Sequence, residues 1–158
     1  MEPIANYTIS YDYFKTIVLN RYMPVLVPFF SRYAKMDIYY GESMATYLLK
    51  INQKAKLNPI TFWDDFEISY YHYYPEFKKL LCTGYNICDD IVIAMEDRLF
   101  KLKYENFDNF IDNIYPDYYN LDFYQSTDFF FINCSQKKLI LVHHSGYWME
   151  YPPGMGQK

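Results

Sequence analysis

The chain has 158 residues, of which 51% are hydrophobic and 22% are aromatic, including 20 Tyr and 13 Phe. This length suits a single domain over residues 1–158, and so high an apolar fraction excludes a disordered chain. The net charge of −4 comes without a block of basic residues, which argues against nucleic-acid binding.

The cysteines and the N-terminus indicate a cytoplasmic protein. Three cysteines without a CxxC pair are typical of reduced thiols rather than of a disulfide framework. The N-terminus MEPIANY lacks the basic and apolar regions of a signal peptide. The apolar stretch YMPVLVPFF is too short to span a bilayer, so no membrane association is expected.

The first half of the chain predicts helices. Ser10 is a suitable N-cap for a helix that runs to about Tyr22, where Pro24 stops it. The next piece, VLVPFF, has no clear period. Beyond it, helices are predicted over residues 42–56, 62–73 and 75–82. Asn58-Pro59 is expected to break the chain, Pro75 to stand at the first position of the last helix, and Gly84 to cap that helix.

The second half predicts strands around one helix. The β-branched run 91–95 and the alternating, half-exposed run 98–104 are expected to pair through a turn at Glu96-Asp97. A helix is expected over 106–115, ended by Pro116. The runs FFFIN and LILVH form a hairpin about CSQKK, and Ser145-Gly146 forms a turn before a last strand, 147–151, and a loose tail from about residue 152.

This order of elements predicts an α+β fold. N-terminal helices are followed by a mostly antiparallel sheet with one interposed helix, and the helices are expected on one side of that sheet. No repeat or linker divides the chain.

The stretch HHSGYW invites a search for metal or catalytic chemistry. His143 and His144 are neighbours on a predicted strand, so their side chains point to opposite faces and cannot share an ion. His72 is the only other histidine, and a pairing of Cys134 with His143 across the hairpin has no supporting spacing. The sequence therefore predicts no metal and no cofactor, and it assigns the stretch a structural role.

Paired carboxylates are the remaining candidates for acid–base chemistry. Asp64-Asp65 is expected at a helix start, Asp89-Asp90 in solvent at a strand start, and Asp108 with Asp112 on the polar face of a helix. Surface solvation explains each pair. The alternative is a small hydrolase that uses Asp89, Asp90 and a histidine.

The region from residue 87 to 151 resembles a known group of proteins. It reads as two strands, a helix with FDNFI, and the segment DFYQSTDFFFINCSQKKLILVHHSGYW. This pattern of elements and aromatic residues resembles that of the small bacterial immunity proteins that neutralise polymorphic or contact-dependent growth-inhibition toxins. The resemblance implies a non-catalytic, cytoplasmic monomer or homodimer that binds and occludes a cognate toxin domain, often a cationic nuclease. A phage or structural protein with another target is the further alternative.

A toxin-binding face of this kind combines carboxylates, which steer a basic partner, with tyrosines, which anchor it. Acids and tyrosines interleave most densely in one segment, predicted as the partner-binding face: Asp64, Asp65, Glu67, Tyr70, Tyr71, Tyr73 and Tyr74. A second candidate face comprises Asp117, Tyr118, Tyr119, Asp122 and Tyr124.

Overall fold

A six-stranded antiparallel sheet forms the centre of the fold. The computed structural model describes residues 3–32, 40–52, 57–61, 63, 70–95, 98–121, 123, 128–143 and 145–152. The strands follow the order β1-β6-β5-β4-β2-β3 across the sheet. Their bounds are β1 Asn58–Pro59, β2 Asp90–Met95, β3 Arg98–Lys103, β4 Phe129–Asn133, β5 Lys138–His143 and β6 Tyr147–Tyr151.

Helices occupy the N-terminal half and the connection between β3 and β4. They are α1 over residues 11–22, with a π-wound middle at Phe14–Leu19; α2, Val27–Arg32; α3, Tyr40–Ile51; α4, Tyr70–Cys82; and α5 over residues 107–119, π-wound at Phe110–Ile114. Single 3-10 turns lie at Ile4–Asn6, Pro24–Leu26 and Tyr104–Asn106. No helix in the described parts of the chain is long and apolar enough to cross a bilayer.

The predicted α+β class is confirmed, with N-terminal helices and then an antiparallel sheet that contains one interposed helix; the short edge strand β1 is an addition to the predicted order. The first helix begins as expected, because the Ser10 hydroxyl oxygen accepts a hydrogen bond of 3.0 Å from the backbone N–H of Tyr13. It also ends at Tyr22, before Pro24. The β4–β5 hairpin and the third strand after it lie where the sequence predicts them.

The sheet is buried on both faces, so the expectation of helices on one side is wrong. Phe129 and Phe131 of β4 face a core formed with α4 and α5. Phe130 and Ile132 face a second core formed with α1, α2 and α3. The unbroken apolar runs of β2, β4 and β5 are typical of strands that are covered on both sides. Each buried Phe contributes roughly 2–3 kcal/mol through removal of its ring from water.

Prolines mark fewer boundaries than the sequence predicts. Pro75 lies inside α4 rather than opening a separate helix, since burial of Phe77 on the same helix offsets the lost hydrogen bond. Pro116 lies inside α5, which continues to Tyr119. The π-turn before it shifts the hydrogen-bond register, so its missing N–H interrupts no regular ladder.

Two further features, the break at Asn58-Pro59 and the exposure of β3, differ from prediction. Asn58-Pro59, expected as a break, forms the edge strand β1, where a residue without an N–H is tolerated. Strand β3 is less exposed than expected, because Leu99 is buried in the core that contains α1–α3. Parts of the predicted helices 42–56 and 62–73, and the tail beyond residue 152, lie outside the described residues.

Candidate partner-binding surface

Asp89 is the hub of a buried polar network, and the expectation that it lies in solvent is wrong. Only 5% of its surface is exposed. Its Oδ2 accepts hydrogen bonds from the backbone N–H of Asn86, at 2.9 Å, and from Nδ2 of Asn133, at 3.0 Å. Burial alone would raise the pKa of Asp89, but these bonds and those from Ser135 and Gln136 lower it. The carboxylate is therefore held ionised as a structural acceptor.

The carboxylates and histidines of the hydrolase alternative do not converge among the described residues. Asp90 is half-exposed and forms an ion pair of 2.8 Å with Lys103. His143 lies at the opposite end of the sheet, since β5 starts beside Asn133 and ends five residues later. His72 is exposed on α4, and His144 lies outside the described residues.

Within the stretch HHSGYW, Ser145 and Gly146 form the turn between β5 and β6, as predicted. The backbone N–H of Gly146 donates to the carbonyl of His143 at 2.9 Å, and Nδ1 of His143 accepts from the N–H of Ser145 at 3.1 Å. Gly146 has a φ of +90°, and a Cβ there would lie 2.7 Å from the ring of Trp63. Glycine is required here by conformation and by space. Cys134 lies at the far end of the hairpin from His143.

Only part of the first predicted partner-binding face can be placed. Asp64, Asp65 and Glu67 lie outside the described residues, as do the side chains of Tyr70 and Tyr71. The rings of Tyr73 and Tyr74 are half-buried against the core beneath α4. The hydroxyl of Tyr74 donates to Oδ1 of Asp108 at 3.4 Å. Both described tyrosines are therefore committed in part to internal packing.

The second predicted face lies at the C-terminal end of α5. Tyr118 is 65% exposed and Asp117 is exposed beside it, whereas Asp122 and Tyr124 lie outside the described residues. Tyr119 is half-buried, with the guanidinium of Arg98 stacked 4.1 Å from its ring centre. This stacking fixes the end of α5 against β3 and leaves the ring of Tyr118 facing water.

Carboxylates continue along the exposed side of α5. Four exposed carboxylates, the first on the 3-10 turn before α5 and the other three on α5, form a group called the α5 ridge: Glu105, Asp108, Asp112 and Asp117. Lys78 of α4 lies 2.5 Å from Asp108 and neutralises part of this charge. Burial, and then the charge of Asp108, raise the pKa of Asp112, whereas the charge of Lys78 lowers it. A cationic partner would relieve the repulsion between Asp108 and Asp112.

The sequence contains a signal for the α5 ridge that whole-chain averages conceal. Residues 104–136 hold six Asp or Glu and no Lys or Arg. The remaining residues hold 13 acidic and 15 basic side chains, so they are slightly basic. Counting charged residues segment by segment therefore places the net negative charge of the chain in α5 and the connection that follows it.

Comparison with other proteins adds no assignment, because no family model, curated protein or solved structure matches the chain. In the described part of the chain, no group of three or more His, Cys, Asp or Glu side chains could hold a metal ion.

Proposed function

We propose that this protein is a non-catalytic inhibitor of the immunity type, which binds a cognate toxin domain through the α5 ridge and occludes it. The observation that carries the proposal is the concentration of exposed carboxylates in the α5 ridge, of which Lys78 neutralises only Asp108, next to the exposed ring of Tyr118. A cationic nuclease fits this surface, because a protein that binds a phosphate backbone presents a basic face of its own.

The physical roles divide between charge and apolar contact. The carboxylates accelerate encounter with a basic surface and set the register of the complex. Tyr118, with Leu121 exposed three residues later, supplies apolar surface that loses water on binding. An interface anchor of this kind costs about 2 kcal/mol when truncated to Ala, which corresponds to roughly 30-fold in Kd.

Two observations support the non-catalytic and cytoplasmic parts of the proposal. Asp89 and Asp90, the carboxylates of the hydrolase alternative, are engaged by the polar network and by Lys103. All three cysteines are free thiols, which suits a reducing compartment. The protein would act as a monomer or homodimer, without contact to nucleic acid or membrane.

Co-expression tests the proposal. The toxin domain encoded next to this gene is induced in cells with and without the protein, and growth and co-elution are measured. We expect the wild-type protein to restore growth. The absence of a toxin gene beside this one, or failure of the wild-type protein to restore growth, would contradict the inhibitor function.

Charge reversal then tests the face. Asp112→Lys with Asp117→Lys should weaken binding about 100-fold, whereas Asp12→Lys, at an exposed site on α1, should have little effect. Tyr71→Ala with Asp65→Lys tests the first predicted face in the same assay. If only that last variant loses binding, the α5 ridge is not the contact surface.

A further inference from the structure

Ile87 is the most exposed large apolar side chain among the described residues. It is 66% exposed, on the loop 83–89 that joins α4 to β2. A single exposed isoleucine is ordinary on a protein surface. The loop that carries Ile87 is, however, tied by several hydrogen bonds to the buried side chain of Asp89 and to neighbouring segments.

The loop is fastened at both ends and at its centre. Nε2 of Gln136 donates to the carbonyl of Gly84 at 2.7 Å, and Asp89 accepts from the N–H of Asn86. The carbonyl of Ile87 accepts from the N–H of Glu105 at 3.1 Å. Two of these contacts lead to Asn133, which is fully buried: its Oδ1 accepts from the N–H of Gln136 at 3.0 Å, and its Nδ2 donates to Asp89. Removing such polar groups from water costs free energy of folding, and the hydrogen bonds of the network fix the loop at that cost.

We propose that Ile87 is a preformed apolar anchor that inserts into a pocket on the cationic protein partner, at the edge of the α5 ridge. This inference rests on the proposed function and adds a contact residue that neither predicted face contains. A backbone hydrogen bond joins Ile87 to Glu105, the first residue of the ridge, and Nζ of Lys103, which is paired with Asp90, donates to the carbonyl of Cys88 at 3.5 Å. A basic rim around an apolar pocket is the partner surface that complements this arrangement.

The rigid loop explains why one side chain of moderate size can matter. A mobile loop loses conformational freedom on binding and so weakens the complex, whereas a loop that is already ordered avoids this loss. Ile87 therefore binds without reorganisation of its own backbone. Truncation of such an anchor lowers affinity about 30-fold.

Calorimetric titration with the catalytically inactivated toxin domain from the neighbouring gene tests the anchor. Ile87→Ala should weaken binding about 30-fold with an unchanged Tm. Ile17→Ala is the matched control, because Ile17 is 46% exposed on α1, which covers the other face of the sheet, and it should change Kd less than about threefold. Equal affinities for Ile87→Ala and Ile17→Ala would refute the role of Ile87 as an anchor. If Asp112→Lys with Asp117→Lys still weakened binding in that case, the proposed inhibitor function would stand.

Cys88, exposed next to Ile87, gives an independent measurement on the wild-type protein. Complex formation should slow its alkylation by a bulky maleimide at least tenfold, and prior alkylation should block binding. An unchanged alkylation rate in the complex would place loop 83–89 outside the interface and overturn the inference. Failure of the wild-type protein to bind at all would overturn both the anchor and the inhibitor function.

Discussion

Asp89→Asn tests whether the buried network is held by a charged acceptor. The substitution keeps the shape of the side chain but removes the negative charge that accepts from Asn86 and Asn133. Hydrogen bonds to a charged group contribute about 1.5–3 kcal/mol each. The amide that replaces the carboxylate also brings an NH2 group, a donor, to a position surrounded by other donors. We expect a loss of about 3 kcal/mol, which is a fall in Tm of roughly 9 °C for a chain of this length.

The pH dependence of this loss has a defined sign. Hydrogen bonding holds the folded-state pKa of Asp89 below its ordinary value of 3.8. The stabilisation is therefore complete above about pH 5 and disappears as the pH falls through the folded-state pKa. Thermal unfolding of both proteins between pH 3 and pH 7 should show their difference in Tm shrinking on acidification.

Asp90→Asn is the control for this experiment. It removes a carboxylate whose ion pair with Lys103 is exposed, so its effect on Tm should be much smaller than that of Asp89→Asn. Equal effects from the two substitutions, or a difference in Tm that grows as the pH falls, would refute the assignment of Asp89 as a buried charged acceptor.

Three further predictions concern stability and accessibility. Gly146→Ala should destabilise the protein by about 3 kcal/mol in urea unfolding, through collision with Trp63 and a strained φ, whereas Gly84→Ala, which has open space, should cost about 1 kcal/mol; equal costs would contradict the steric argument. Pro75→Ala should raise stability by about 2 kcal/mol because it restores a backbone hydrogen bond in α4, and no gain would show that the helix is adapted to Pro75. Titration with a disulfide reagent should modify Cys88 quickly and the other two thiols only after unfolding, because burial raises the pKa of each buried thiol to about 12; fast reaction of all three thiols would contradict that burial.

Local sequence patterns predict most of the strands, but they do not predict features that are determined by contacts between distant parts of the chain. The runs at β2, β4 and β5 are recognisable because β-branched and aromatic residues cluster between turn residues. The side of the sheet that each helix covers depends on long-range packing, which no local period encodes. Pro75 lies inside α4 because burial on the opposite helix face outweighs the local cost, and Pro116 lies inside α5 because the π-turn before it shifts the hydrogen-bond register.

The candidate site was harder to predict than the fold. Tyr118, named in the second predicted face, is exposed and directly follows Asp117, which is a feature that the local sequence shows. Asp89 looks like any surface acid in the sequence. Its burial depends on Asn133, which lies 44 residues further along the chain and becomes a neighbour only through the pairing of β2 with β4.

Burial of both sheet faces limits where a partner can bind among the described residues. The outer edge of β3 is covered by the segment before α1, since the N–H of Ile9 donates to the carbonyl of Leu99 and that of Lys101 to the carbonyl of Tyr7. The outer edge of β6 is paired in part with β1, where Pro59 offers no N–H for a further strand. Strand addition is therefore a poor mode of association, and outer helix faces and loops remain. Among these, α5 carries exposed carboxylates beside Tyr118, and the loop before β2 carries the exposed side chain of Ile87, so together they supply the charge and the apolar surface that a steered and anchored protein interface requires.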